Sequence, residues 1–327
     1  MNPIFPDRLR PGDEIRIIAP SCAKASVHQA VLEKGLAVLK QLGLKVTWGR
    51  NTHLVDNFDC AQVAARVQDL HEAFADKNVK AILAVRGGFF ANQLLDYIDW
   101  NVIKHNPKIF CGFSDITVLQ NAVFAKTGLV TYSGPNLSVL GKSGMLTYTL
   151  DYFRQCVMGN GRIDLAPATS YQNLGTEASS DILANSGWVV LNSGKAEGVL
   201  LGGNLCTVNL LQGTEYMPSL DGAVLFLEDD YTSTYRDVDR NLQSLIHTLG
   251  FSGVKGLVFG RFQKESAMTM THLKNLIEIR PELKSVPVLA NVDFGHTEPK
   301  ITFPIGGTVN VVAGANASNS SIVILEH

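Results

Sequence analysis

No basic surplus marks this chain: its 327 residues carry 28 Lys and Arg against 30 Asp and Glu, for a net charge of -2. A phosphate backbone is held mainly by clustered cations, so nucleic acid is excluded as the expected partner. No uninterrupted apolar run approaches the roughly 20 residues that span a bilayer. The N-terminus, MNPIFPDRLRPGDEIR, lacks a basic start followed by an apolar stretch. A soluble cytoplasmic protein without membrane contact is therefore the expectation. Cysteine is sparse and unpatterned: Cys22, Cys60, Cys111, Cys156 and Cys206 are odd in number and form no C-x-x-C pair. They read as reduced, mostly buried thiols. The eight histidines show no H-x-x-x-H spacing and no cysteine cluster beside them, so no metal site is expected.

What the chain does have is alternation. Apolar runs at 14–19 (EIRIIA), 45–48, 79–85 (VKAILAV), 109–111 and 129–132 read as strands, and 79–85 is apolar enough to be covered on both faces. Between them, apolar residues at helical spacing (Val27, Val31, Val38, Leu42; then Val63, Val67, Leu70, Phe74) mark helices, as do stretches through Leu94 and Ile98 and from Leu146 to Val157. This order predicts an α/β domain over residues 1–161, a doubly wound parallel sheet with helices on both faces. Residues 162–187 turn rich in Ser, Thr, Ala, Asn and Gly and read as an interdomain connection. Strands at 188–191, 198–201, 223–227, 254–259 and 286–292, one helix through Val238 and Leu249, and a tail of short strands make 188–327 a second, mostly β domain.

Residues suited to chemistry stand where strands end, which is where open parallel sheets bind ligands. In KIFCGFSDIT, residues 108–117, a short strand runs through a glycine to Ser114 and a following helix. A serine at such a corner projects above the sheet edge beside the free N–H groups of the helix start, a geometry that suits a nucleophile. The same serine could simply cap the helix. Cys111, three residues earlier, lies inside the strand and reads as inert packing.

Arg86-Gly87-Gly88 follows strand 79–85, so a glycine N–H could join that of Asp115 as an oxyanion hole, and Arg86 could grip a substrate carboxylate or form an ion pair. Strand 223–227 delivers Glu228-Asp229-Asp230, and strand 286–292 runs into Asp293-Phe294-Gly295-His296. A serine nucleophile needs a base and the base an orienting group; His296 and Glu228 are placed to serve. Two rivals stay open on these residues alone: a non-catalytic small-molecule binding module, and a magnesium-dependent phosphotransferase using the Glu228 cluster, although no Walker lysine accompanies it.

Five motifs in order, RGG, GFSDIT, GGNL, FLEDD and DFGHTEPKITFPIGG, resemble the LD-carboxypeptidase family of serine peptidases. That family includes murein tetrapeptide carboxypeptidases and microcin C immunity peptidases, and the similarity runs from Ile15 through Gly307. The resemblance implies a Ser114-Glu228-His296 triad between an N-terminal α/β domain and a largely β C-terminal domain. It also implies backbone oxyanion donors at Gly88 and Asp115, no cofactor, a homodimer, and cleavage of a C-terminal amide in a small peptide or peptide-nucleotide. Asn204 in GGNL is a further candidate substrate contact. The GGNLCTVNLLQGTEYMP and YRDVDRNLQSL segments look closer to the immunity branch, yet TEASSDILAN (176–185) lacks its base-stacking tryptophan and DDYTSTYRD lacks its nearby lysine.

Overall fold

The computed structural model describes residues 2–142, 144–173 and 181–327. The N-terminal domain runs β1 (Glu14–Ile18), α1 (Gln29–Gln41), β2 (Lys45–Trp48), α2 (Val63–Ala75), β3 (Val79–Ala84), α3 (Trp100–Lys104), β4 (Ile109–Gly112), α4 (Thr117–Thr127), β5 (Thr131–Ser133), α5 (Leu137–Lys142) and α6 (Leu146–Met158). The stretch through Leu94 and Ile98, expected as a helix, is a 3-10 segment at Ala91–Tyr97. Five strands pair in parallel in the order β5-β4-β3-β1-β2, so the chain reverses its direction of winding between β1 and β3. At that reversal two loops diverge beyond the strand ends and leave a crevice. The Pro20–Ser21 and Gly87–Gly88 segments emerge there.

The second domain runs β6 (Ile163–Asp164), β7 (Ser170–Gln172), β8 (Ile182–Ala184), β9 (Val189–Asn192), β10 (Gly194–Asn204), α7 (Leu205–Asn209), β11 (Ala223–Glu228), α8 (Tyr235–Ile246), β12 (Gly256–Gly260), α9 (Met270–Glu278), β13 (Val288–Val292), β14 (Phe303–Ile305), β15 (Thr308–Ala313) and β16 (Ser321–Glu326). Eight of these form one sheet, β6-β16-β15-β10-β11-β12-β13-β9. Its central four, β10 to β13, are parallel, while β9, β15, β16 and β6 add antiparallel edges. The domain is mostly β, with α8 and α9 the longest of its helices.

Two features cross the boundaries drawn from sequence. Residues 162–187 carry little periodicity, yet among those described β6 pairs with β16, and β7 pairs with β8 as a ribbon joined to Glu298. The bonds are supplied by distant partners, which a local pattern cannot show. Residues 174–180, part of that segment and of the tryptophan-free stretch, lie outside the described residues. In the other direction, β14 leaves the second domain and pairs antiparallel with β5 as the edge strand of the first sheet.

Helix α4 sits between the domains. It has no polar face: Thr117 through Val123 are all buried, as a helix wrapped on every side requires. Its polar side chains serve the contact. Asn121 Nδ2 donates to the Gly202 carbonyl at 2.8 Å, and the Asn204 N–H donates to Thr117 Oγ1 at 3.1 Å. A Cβ on Gly203 would lie 2.6 Å from Thr117 Oγ1, so glycine there lets β10 approach the helix. The Gly202-Gly203-Asn204 motif is thus the end of a strand pressed on α4.

Candidate active site

Ser114 follows β4 with a φ of +64°, in the left-handed region that a non-glycine residue enters at a cost. Its hydroxyl caps neither the 3-10 turn Ser114–Ile116 nor α4. It lies instead 3.0 Å from His296 Nε2. On the far side of the ring, His296 Nδ1 is 2.7 Å from Glu228 Oε2. A hydroxyl, an imidazole and a carboxylate therefore stand in line, 182 and 68 residues apart along the chain.

Each comes from a strand end. Ser114 follows β4, Glu228 closes β11 in register with Asn204 of β10, and His296 lies four residues beyond β13. Glu228 and its neighbour ring are held tightly: the carboxylate side chain is 4% exposed, the imidazole 16%. Phe113 packs on the imidazole, ring centroids 5.1 Å apart at 51°. Behind it, the buried Lys300 ammonium pairs with Glu298 and lies 5.0 Å from the centre of the Phe113 ring.

Electrostatics follow from this placement. Burial is the largest influence on His296 and disfavours its charged form, but the charge and hydrogen bond of Glu228, with Asp230 beyond, outweigh it and leave the imidazole pKa raised. Asp229 is pushed up to about 6 by burial and by the adjacent Glu228 charge.

The acidic trio does not converge. Glu228 faces His296; Asp229 accepts from Asn204 Nδ2 at 3.2 Å and from the Cys206 N–H at 3.2 Å; Asp230 accepts from Thr232. Among the described residues, no group of three or more His, Cys, Asp or Glu gathers to hold a metal ion. Nor is any helix among them long and apolar enough to cross a membrane.

The remaining candidates divide. Gly87 rests on the serine, where a Cβ would lie 2.9 Å from Ser114 Cβ and 3.4 Å from the Asp115 nitrogen. Gly88, at φ +154°, faces Ser21 and Cys22. Among the described residues neither the Gly88 nor the Asp115 N–H donates to a protein acceptor. Arg86 donates to the Ser26 carbonyl at 3.1 Å and has no carboxylate within 4 Å among them. Asn204 is 3% exposed, and its Oδ1 accepts from the Thr207 N–H and hydroxyl at the start of α7. Its amide therefore props the strand end beside Glu228. Sequence reasoning singled out the Gly87-Gly88 pair but missed Phe113 and Ser21; the one signal available was Ser21's position after Pro20 at the end of β1.

Family models match both parts of this site: the LD-carboxypeptidase N-terminal domain over residues 15–134 and the LD-carboxypeptidase C-terminal domain over residues 197–311. The chain belongs to the LD-carboxypeptidase family. The resemblance of its five motifs is thereby shown, and with it membership of a group of serine peptidases. The Bacillus subtilis (strain 168) protein YocD, named as a carboxypeptidase with no substrate attached, is 43% identical over 96% of this chain and 98% of its own length. The crystal structure of an MccF-like protein from Bacillus anthracis (strain Ames) matches with a TM-score of 0.96 at 44% identity, over 99% of this chain and 100% of that one. The structure of MccF in complex with glutamyl sulfamoyl guanosine matches at 0.88 and 26% identity, over 99% of each chain. This LD-carboxypeptidase thus shares both its domains and their arrangement with MccF.

Proposed function

We propose that this LD-carboxypeptidase is a cytoplasmic enzyme that cleaves a C-terminal amide of a small peptide or peptide-nucleotide through Ser114, His296 and Glu228. The observation that carries the reading is the unbroken relay, 3.0 Å from Ser114 Oγ to His296 Nε2 and 2.7 Å from His296 Nδ1 to Glu228 Oε2. Neutral His296 takes the hydroxyl proton as Ser114 Oγ attacks the scissile carbonyl, and Glu228 holds Nδ1–H so that Nε2 faces the serine. The N–H groups of Gly88 and Asp115 receive the developing oxyanion, a contribution that in comparable sites is worth about 10²–10³ in rate per donor. Protonated His296 then passes its proton to the leaving amine. Water, deprotonated by the same ring, attacks the ester and releases the acid.

Arg86, which has no carboxylate partner among the described residues, supports a role at the substrate's terminal carboxylate. Two substrate classes suit the reading: a murein L,D-tetrapeptide, and an aminoacyl-sulfamoyl nucleotide of the kind bound by the MccF structure. The cytoplasmic setting is supported by five free thiols.

Mass spectrometry of the purified protein, incubated with each substrate and separately with a fluorophosphonate, tests the proposal. Release of the terminal amino acid or amine, with the phosphonyl adduct on Ser114, is expected. An adduct confined to another residue, or turnover by Ser114→Ala at the normal rate, would overturn it.

A further inference from the structure

Two buried charges next to the nucleophile take no part in the relay. Asp115 is 4% exposed and Arg66, on α2, is 2% exposed. They do not pair directly within 4 Å; they hold the same two loops. Asp115 Oδ2 accepts from Ser21 Oγ at 2.5 Å and from the Ala91 N–H at 2.9 Å. Arg66 Nη1 donates to the Pro20 carbonyl at 3.1 Å and to the Phe90 carbonyl at 2.9 Å, while Nη2 donates to Gln93 Oε1 at 2.6 Å. The loop after β1 and the loop after β3 are thus each gripped by one anion and one cation. Between these grips lies Gly87–Gly88, joined to the first loop by the Cys22 N–H at 3.4 Å from the Gly87 carbonyl.

Burying ions is costly, and for stability alone apolar packing would do as well or better. A geometric need is the better reason for charges here. Two consecutive glycines form the least restrained backbone a chain can have. An oxyanion donor must nonetheless stay within a few tenths of an ångström of its place.

We propose that Ser21, Arg66 and the Asp115 carboxylate are positioning residues that clamp the Gly87–Gly88 turn over Ser114. This rests on the reading of the Gly88 and Asp115 N–H groups as oxyanion donors. Asp115 then acts at both ends: its N–H is one donor, and its side chain sets the distance to the loop that supplies the other.

The test uses the intact chain and measures two quantities: the second-order rate of Ser114 labelling by a fluorophosphonate, and kcat and KM on whichever substrate the wild type turns over. Ser21→Ala is expected to lower the labelling rate and kcat roughly 10-fold and Asp115→Asn roughly 100-fold, since misplacement by an ångström can cost that much. KM should stay within about two-fold and the Ser21→Ala melting temperature near that of the wild type. Wild-type labelling and kcat in Ser21→Ala, or a change confined to KM or to thermal stability, would overturn the clamp. Should Asp115→Asn fail to fold, Ser21→Ala, which deletes one hydroxyl, decides alone. A wild type unlabelled at Ser114 would instead overturn the reading beneath it.

Discussion

Phe303 pairs with Ser133 across the edge of the first sheet, although it belongs to the segment that has just supplied His296. Its ring, 1% exposed, also packs against Phe226 at 5.2 Å and Phe294 at 5.3 Å. Phe226 lies two residues before Glu228, and Phe294 two before His296. One side chain therefore packs beneath both Glu228 and His296 while its backbone stitches their segments to the sheet that carries Ser114.

Phe303→Ala should accordingly cost about 3–5 kcal/mol of stability, the usual loss for emptying a large buried aromatic site. The midpoint of denaturant unfolding reads this directly. At temperatures where the variant is still folded, kcat should fall more than KM rises. Unchanged kcat in folded protein would show that the aromatic cluster does not set the relay.

If Ser114 is the nucleophile proposed above, Ser114→Ala and Ser114→Gly should both be inactive, with kcat down by about 10⁴–10⁶-fold, the loss seen when triad enzymes are stripped of the nucleophile. They should differ in stability. At φ +64° alanine keeps the backbone cost and glycine loses it, so the glycine variant should be more stable than the alanine variant by about 1 kcal/mol. Paired thermal melts check the sign.

The pH dependence has two opposite limbs. As the proposed base, His296 must be neutral to accept the serine proton, so kcat/KM should rise as pH climbs through its pKa, which Glu228 raises from the ordinary imidazole value. Stability runs the other way. A folded-state pKa above the unfolded one adds stability that is complete below the unfolded value and disappears as pH rises through the folded value. In Glu228→Gln burial is left largely unopposed, so the acid limb should shift to lower pH while kcat falls by about 10²–10⁴-fold. Rate profiles of the two proteins, with NMR titration of the ring, would decide; an unmoved limb would refute the pairing.

Two glycine substitutions separate crowding from strain. Gly87→Ala needs no left-handed backbone, yet its methyl would press on Ser114 at 2.9 Å, so activity should drop at least about 100-fold with a modest loss of stability. Gly295→Ala meets both problems, at φ +100° and with a Cβ 2.8 Å from Glu228 Oε2. It should lose both activity and roughly 2–3 kcal/mol of stability. Activity assays beside thermal melts distinguish the two patterns.

Much of the first domain was legible because its signals are local. Strand 79–85 is apolar at every position but Lys80, and α1 and α2 repeat at helical spacing, which are consequences of burial on two faces or on one. The 162–187 segment and β14 were not legible, because their hydrogen bonds go to β16, Glu298 and β5, far away in sequence. The GGN motif was visible as a motif, but its packing on α4 depends on a close approach between domains.

The sequence by itself determined the strand-end positions of Ser114, Glu228 and His296 and, through five ordered motifs, the family. Only the tertiary structure decided that they meet in line, that Gly87 rests on the serine, and that Asp115 turns its carboxylate to the neighbouring loops. The physical reason is range: periodicity and turn chemistry act over a few residues, whereas hydrogen bonds between residues 68 and 182 positions apart exist only once two sheets have closed on one crevice.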